Sequence, residues 1–185
     1  MNSTRLGRLF GPLVLGLVGY VWLMAGIEKL TTPGFVAGMS KTLAFFASKN
    51  PYPGYKDFLL TLAVPNATPF AYVVEWGELL AGIALILAAV VFLARSTGIV
   101  VSLAQWVAIL ALAGGTLMSV NYFFAAGWTS ISTFGENQAL AVLQVLLLAA
   151  VTAAVFEPKI LADRAVQGHP YEVRGPAGAR PVAGA

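Results

Sequence analysis

Polar and ionisable side chains lie at the ends of the long apolar segments of this chain. The first segment ends in Glu28 and Lys29, and the second begins with Glu75 and Glu78. The same side holds the residues that end the third segment and begin the fourth: Asn121, Tyr122, Glu136, Asn137 and Gln138. Charge inside a bilayer is costly, so it usually faces the bundle interior or an aqueous cavity. The sequence therefore predicts one polar pocket where the segment ends meet.

Two of these side chains are predicted to be catalytic, Glu78 and Lys29. Lys29 either extends to the membrane surface or pairs with Glu75 or Glu78 inside the bundle, where a hydrogen-bonded pair is tolerable. Glu75 and Glu78 are three residues apart and share one helix face. They either compensate the dipole at the helix N-terminus, or the deeper Glu78 exchanges protons.

Four further side chains are predicted to bind a ligand beside this pair. Trp76 is next to Glu75 and is placed to wall a flat ligand, with a position in the aromatic belt as the alternative. Asn121 either donates a hydrogen bond to a ligand carbonyl oxygen or caps its helix. Glu28 completes the predicted binding set. Gln144, in the middle of the fourth segment, is expected to make an interhelical hydrogen bond.

The composition indicates an integral membrane protein. Of the 185 residues, 58% are hydrophobic and 10% are charged, whereas soluble domains are about 25% charged. Basic residues in loops and tails touch lipid, so the net charge of +3 does not indicate nucleic acid. We predict an all-α, four-helix transmembrane bundle over residues 1–160. Its spans are expected at about 9–30, 70–94, 98–125 and 137–157, since each reaches the roughly 20 residues required.

The chain ends set the expected orientation. The apolar run from Leu9 to Ile27 is too long for a signal peptide and predicts a retained helix. Pro158 is expected to end the last helix, followed by a polar cytoplasmic tail over 161–185, disordered beyond about Val173. Seven of the 11 Lys and Arg residues lie at the termini and the second link. This bias predicts cytoplasmic termini in a bacterial or archaeal plasma membrane, with the polar pocket facing outward.

The segment 31–69 is long for a structureless loop. Its apolar residues recur at helical spacing on both sides of a turn-rich stretch at 50–54. They are Phe35, Val36, Met39, Leu43 and Phe46, then Tyr55, Phe58, Leu59 and Leu62. We predict two short amphipathic helices on the outer membrane surface. They either form a lid over the pocket or seal the end of the bundle.

The missing residue types exclude several redox centres within this sequence. It has no cysteine, which excludes a disulfide, an iron–sulfur cluster and a thiolate metal site. The single histidine, His169, lies in the tail, which excludes a bis-histidine haem in the bundle. No metal site is predicted. Any redox centre must come from a partner, or a cofactor must bind without these ligands.

Several short motifs resemble the DoxX/DoxD family of small bacterial and archaeal membrane proteins. They are the run 22–30 that closes the first segment, the loop at 50–55, the run 75–82 with its Glu-Trp-Gly-Glu-Leu sequence, and the pair 121–122. The resemblance covers roughly residues 5 to 160. It implies a four-helix membrane bundle. For the DoxD branch it implies a subunit of thiosulfate:quinone oxidoreductase, which oxidises thiosulfate outside the membrane and passes electrons to quinone.

Two functions follow from the residues and this resemblance. In the first, quinone binds in the outer pocket, with Lys29 or Asn121 bonded to a carbonyl oxygen and Glu78 exchanging the proton. Lys29 and Lys41 would attract thiosulfate, a dianion. In the second, the chain is a non-catalytic anchor or accessory subunit of a larger redox complex. Both readings predict the lipid bilayer and a second subunit or homo-oligomer as partners, and a small-solute transporter is a third, weaker fit.

Overall fold

The computed structural model describes residues 3–167 and the side chains of residues 9–156. The described chain contains α-helices and no β-strand, which confirms the predicted all-α class. Within residues 3–167, four helices are long and apolar enough to cross a membrane. They are α1 (Ser3–Thr31), α4 (Ala67–Leu93), α5 (Ile99–Ala126) and α6 (Ile131–Gln167); two shorter helices, α2 (Phe35–Ser48) and α3 (Pro53–Phe58), lie between α1 and α4.

The observed helix ends differ most from the predicted ones in α6. Helices α4 and α5 agree with the predicted 70–94 and 98–125 to within three residues. Helix α6 begins at Ile131 and runs through Pro158 to Gln167, so the prediction that Pro158 ends it is wrong. A proline removes one helical hydrogen bond and bends a helix, but it does not oblige the helix to stop. The expected disorder beyond Val173 falls outside the described residues.

Helix α1 packs on α4 at backbone distance, because glycine faces the partner helix on both sides. A Cβ atom added at Gly82 would lie 2.3 Å from the backbone nitrogen of Leu23. One added at Gly26 would lie 2.5 Å from the backbone nitrogen of Leu79. Small residues at such positions allow membrane helices to approach closely. This contact fixes the register in which the end of α1 meets the first half of α4.

A buried polar network joins α1, α5 and α6 in the middle of the bundle. The Trp22 indole donates to Gln144 Oε1 at 2.9 Å, and Gln144 Nε2 donates to Ser119 Oγ at 2.9 Å. Gly115 leaves room for the Gln144 side chain, since a Cβ atom at position 115 would lie 2.1 Å from Gln144 Oε1. The predicted interhelical hydrogen bond of Gln144 is therefore confirmed.

Helices α2 and α3 confirm that the segment 31–69 holds two short helices. Met39 and Leu43 of α2 are buried in a cluster with Ala71 of α4. Helix α3 continues into a π-helical turn over Leu59–Ala63, closed by the Val64 amide donating to the Leu59 carbonyl. The wider turn changes which side chains face the core. Leu59 and Ala63 are buried, whereas Leu62, which the apolar pattern placed on the buried face, is 49% exposed.

The short helices dock on the C-terminal end of α5. Asn50, which follows α2, donates from Nδ2 to the Phe124 carbonyl at 2.9 Å. The Tyr55 hydroxyl donates to Asn121 Oδ1, and the Tyr52 ring packs edge-on against Phe124 with centroids 5.2 Å apart. The unit formed by α2 and α3 therefore covers the N-terminal end of α4 and the C-terminal end of α5.

Candidate functional site

Three helices bring Lys29, Glu78 and Tyr122 into one cluster that is joined by an ion pair and a hydrogen bond. Lys29 Nζ on α1 lies 2.7 Å from Glu78 Oε2 on α4. The Tyr122 hydroxyl on α5 donates to Glu78 Oε1 at 2.7 Å. Of the two glutamates that the sequence offered as partners of Lys29, the structure selects Glu78. The helix register set by the α1–α4 glycines makes this pairing possible.

The burial of Glu78 sets the electrostatics of the cluster. The Glu78 side chain is 1% exposed and the Lys29 side chain is 24% exposed, so the ammonium group lies between the buried carboxylate and the surroundings. A buried carboxylate is tolerated only when its charge is balanced and its lone pairs are bonded. The Lys29 ammonium group balances the charge and Oε1 accepts the Tyr122 hydroxyl, whereas Oε2 is held by the ion pair and accepts no hydrogen bond from the described residues. The first condition is therefore met and the second is met for one oxygen.

Of the two alternatives for these glutamates, stabilisation by the helix dipole is wrong for both residues. Helix α4 begins at Ala67, so Glu78 lies about 17 Å along the helix from its first residue and Glu75 about 12 Å, at 1.5 Å per residue. The dipole effect falls off within the first turn. The local charge of Lys29 is therefore what balances Glu78.

A cavity of about 520 Å³ opens onto this cluster. Helices α1 and α6 supply most of its lining, whereas α4 and α5 contribute one residue each, Glu78 and Tyr122. Contacts between α1 and α6 are sparse, and the lining residues Val21 and Ala139 are exposed, so the cavity opens sideways between these helices. The lining is Val21, Trp22, Ala25, Lys29, Glu78, Tyr122, Glu136, Asn137, Ala139, Leu140 and Leu143.

No residue of α2 or α3 contributes to this lining. The two short helices instead pack on α4 and on the end of α5, as the Asn50 and Tyr55 hydrogen bonds require. The geometry thus favours the expectation that they seal the end of the bundle over the expectation that they form a lid.

The structure places the four predicted ligand-binding residues outside the cavity lining. Trp76 is 48% exposed and Glu28 is also exposed, because a residue next to an inward-facing one points about 100° away around a helix. Asn121 is exposed and accepts the Tyr55 hydrogen bond. Glu75 is buried but does not line the cavity. These four side chains therefore do not share the cavity with Lys29 and Glu78.

Sequence reasoning missed the role of Tyr122. It stands among the polar helix ends of the sequence without an assigned role, yet it donates to the buried Glu78 carboxylate and lines the cavity. Its spacing carried a signal, since Gly115, Ser119 and Tyr122 follow one helix face at intervals of four and three. Glu136 and Asn137 were placed among the polar helix ends but not in the binding set, and both line the cavity.

The cavity combines hydrogen-bond donors at its inner end with apolar flanks. Lys29 supplies the donors, since the one proton of the Tyr122 hydroxyl is donated to Glu78. Ala25, Leu140 and Leu143 are among the apolar lining residues. This combination suits a ligand with a polar head and an apolar body. Among the described residues, no group of three or more Asp, Glu or His side chains is placed to hold a metal ion. No family model, curated protein or solved structure matches this chain.

Proposed function

We propose that this chain is a DoxX/DoxD-like membrane subunit of a quinone-linked oxidoreductase, with quinone bound in the cavity between α1 and α6. The observation that carries the proposal is the cavity itself, which joins an apolar flank to the Lys29–Glu78–Tyr122 cluster. A quinone is a lipid-soluble ring with two carbonyl acceptors and an apolar tail. A sideways opening lets such a molecule enter from the membrane.

The cavity fits a quinone head group in size and chemistry. Its volume of about 520 Å³ lies in the range of small-molecule sites. Lys29 is the partly exposed donor and forms the hydrogen bond to a quinone carbonyl oxygen. Tyr122 holds the Glu78 carboxylate in place, and Glu78 exchanges the proton.

The electrons come from a partner with its own redox centre. Reduction of a quinone to a quinol takes two electrons and two protons. The sequence has no cysteine and its one histidine is His169, which favours an electron donor site on another subunit over a cofactor bound here without these ligands. The resemblance to the DoxD branch favours thiosulfate as the reductant, where two thiosulfates give tetrathionate and two electrons.

The proposed setting is a bacterial or archaeal plasma membrane, with α1, α4, α5 and α6 spanning it. Their length and apolar composition support this placement. The Lys and Arg bias favours cytoplasmic termini. In this orientation the cluster lies toward the outer leaflet, and α2 and α3 lie at the outer surface.

The proposal is tested by purifying the protein from native membranes and quantifying bound quinone and co-purifying proteins. Wild type is expected to retain quinone near one per chain, because the cavity holds one head group. Lys29→Ala and Glu78→Gln are expected to lose it while remaining folded. Lys49→Ala and Asp57→Asn, which alter exposed side chains outside the cavity, serve as controls. Quinone retained in both cavity variants would contradict the proposal.

One observation favours the non-catalytic anchor as a second candidate. Both Glu78 oxygens already face a partner within the protein, Oε1 through the Tyr122 hydrogen bond and Oε2 through the Lys29 ion pair, as in a network that only closes a bundle. An anchor predicts a tightly bound partner, no quinone in wild type, and partner activity that survives Glu78→Gln. The same purification separates the two candidates.

A further inference from the structure

Glu75 is a buried carboxyl group that the proposed site does not use. Its side chain is 6% exposed, and among the described residues it makes no hydrogen bond or ion pair. Burying a carboxyl group without a partner is costly. Ionisable residues within membrane helices are by default functional positions, so the position of Glu75 needs a functional reason.

Glu75 lies one turn from Glu78 on the buried face of α4. Both residues belong to the face that also buries Ala71 and Gly82, and residues three apart have Cβ atoms about 5–6 Å from each other. Glu75 lies on the N-terminal side of Glu78 and outside the cavity lining. It therefore lies on a side of Glu78 that a ligand in the cavity leaves free.

The other titratable groups near this part of α4 either contact Glu78 or are exposed. The elements packed against α4 are α1, α2 and α5. Lys29 and Tyr122 are bonded to Glu78, and the remaining three are exposed. The titratable groups on these elements whose side chains the structure describes are Tyr20, Glu28, Lys29, Lys41 and Tyr122. Glu75 is thus the one buried carboxyl group beside Glu78 in the described part of the chain.

We propose that Glu75 relays protons between water at the N-terminal end of α4 and Glu78. The inference rests on the proposed quinone site. The quinone takes two electrons from the partner's redox centre and two protons through Glu78, giving quinol. After each transfer Glu78 regains a proton from Glu75, and Glu75 regains one from water. Because Glu78 is buried and its cavity side faces the ligand, a second carboxyl group gives the proton a separate path.

The test uses the full chain with its co-purifying redox partner in liposomes, with a decyl-substituted benzoquinone as the probe and the partner's redox centre as the electron source. Bound quinone, quinol formation and proton uptake are measured across pH. Glu75→Gln is expected to bind quinone as wild type does but to form quinol about a hundredfold more slowly, the low end of a positioned acid–base effect. Its rate should rise as pH falls, since protons must then reach Glu78 directly from water. Asp57→Asn is the matched control, and Glu75→Asp should restore part of the rate.

The outcomes separate the relay from the site on which it rests. Wild-type quinol formation in Glu75→Gln, or loss of quinone binding in this variant, would overturn the relay and leave the quinone site standing. A wild-type protein that binds no quinone would overturn both. If the amide variant does not fold, Glu75→Asp decides, because an unchanged rate with the shortened carboxyl group would overturn the relay.

Discussion

At the scale of single residues, the fold and the proposed chemistry depend on the same contact. Glu78 is buried, and its two oxygens meet Lys29 and Tyr122. Removing one partner of a buried ion pair leaves a charge in apolar surroundings, which costs more than removing both partners. The stability of the bundle therefore reports directly on this contact.

A double-mutant cycle measures the coupling between Lys29 and Glu78. Lys29→Met is expected to lower the free energy of unfolding by about 3 kcal/mol, because Glu78 loses its counter-charge. The double variant Lys29→Met/Glu78→Gln should recover most of that loss, since the amide carries no charge and still accepts from Tyr122. Unfolding in mixed micelles provides the measurement. Additive losses would mean that the two side chains are not coupled.

The sequence predicted that Lys29 and Glu78 belong to the cluster, but it did not predict which other side chains contact them. A charged residue in an apolar segment signals a buried pair, which identified Lys29 and Glu78. Sequence position did not tell which neighbour points inward, because a one-residue step turns the side chain by about 100°. Trp76 was therefore expected beside the ligand, whereas Tyr122 occupies the cavity.

At the scale of elements, the α1–α4 contact positions the cluster. Gly26 and Gly82 allow the two backbones to touch, as the Cβ distances show. Any added side-chain atom there must separate the helices. Such a separation would move the end of α1, and with it Lys29, away from Glu78.

Gly82→Ala tests this contact. The new Cβ would meet the Leu23 backbone at 2.3 Å, so the variant is expected to lose about 1–3 kcal/mol of unfolding free energy, as overpacked cores do. Gly114→Ala is the matched control, since nothing lies within 4 Å of its Cβ. Alanine is the better helix former, so the control should be neutral or stabilised by up to about 1 kcal/mol. Equal stability of the two variants would contradict the proposed role of the close contact.

The α2–α3 unit should undock at high pH through Tyr55. Partial burial raises the pKa of Tyr55 to about 12, above its ordinary value near 10. The neutral hydroxyl, which donates to Asn121, is therefore favoured in the fold. Its stabilising effect is complete below about pH 10 and is lost as the pH rises through about 12.

Amide hydrogen exchange of α2 and α3 across this range measures the loss. Wild type should lose protection between about pH 10 and pH 12, following the titration of Tyr55. Tyr55→Phe lacks the hydrogen bond at every pH, so its protection should start lower and depend less on pH. Identical profiles would show that Tyr55 does not hold the unit in place.

Helix type was easier to predict than helix ends. Apolar spacing gave both short helices and the four long ones, because burial of one face imposes a helical period. The π-helical turn at Leu59–Ala63 and the passage of α6 through Pro158 were not predictable in this way. The π-helical turn depends on the packing of Leu59 and Ala63 against α2 and α4, and a proline can bend a helix without ending it.

At the scale of the whole molecule, the account requires one orientation in the membrane. The chain has no cysteine, so single cysteines report position without background. Ser48→Cys in α2 should react with a membrane-impermeant maleimide in right-side-out vesicles. Thr97→Cys, in the link between α4 and α5, should react only after lysis, because the positive links face the cytoplasm. The reverse pattern would place the cavity toward the cytoplasmic leaflet.

The most direct test of the central claim is to map where a photoreactive quinone attaches. We expect an azido-quinone to label α1 and α6 at cavity positions such as Val21 and Ala139, and excess unlabelled quinone to compete. Ala139→Trp should block labelling by filling the cavity, whereas Val145→Trp, at an exposed position of the same helix outside it, should not. Labelling confined to other faces of the bundle, or none that unlabelled quinone displaces, would contradict a quinone site between α1 and α6.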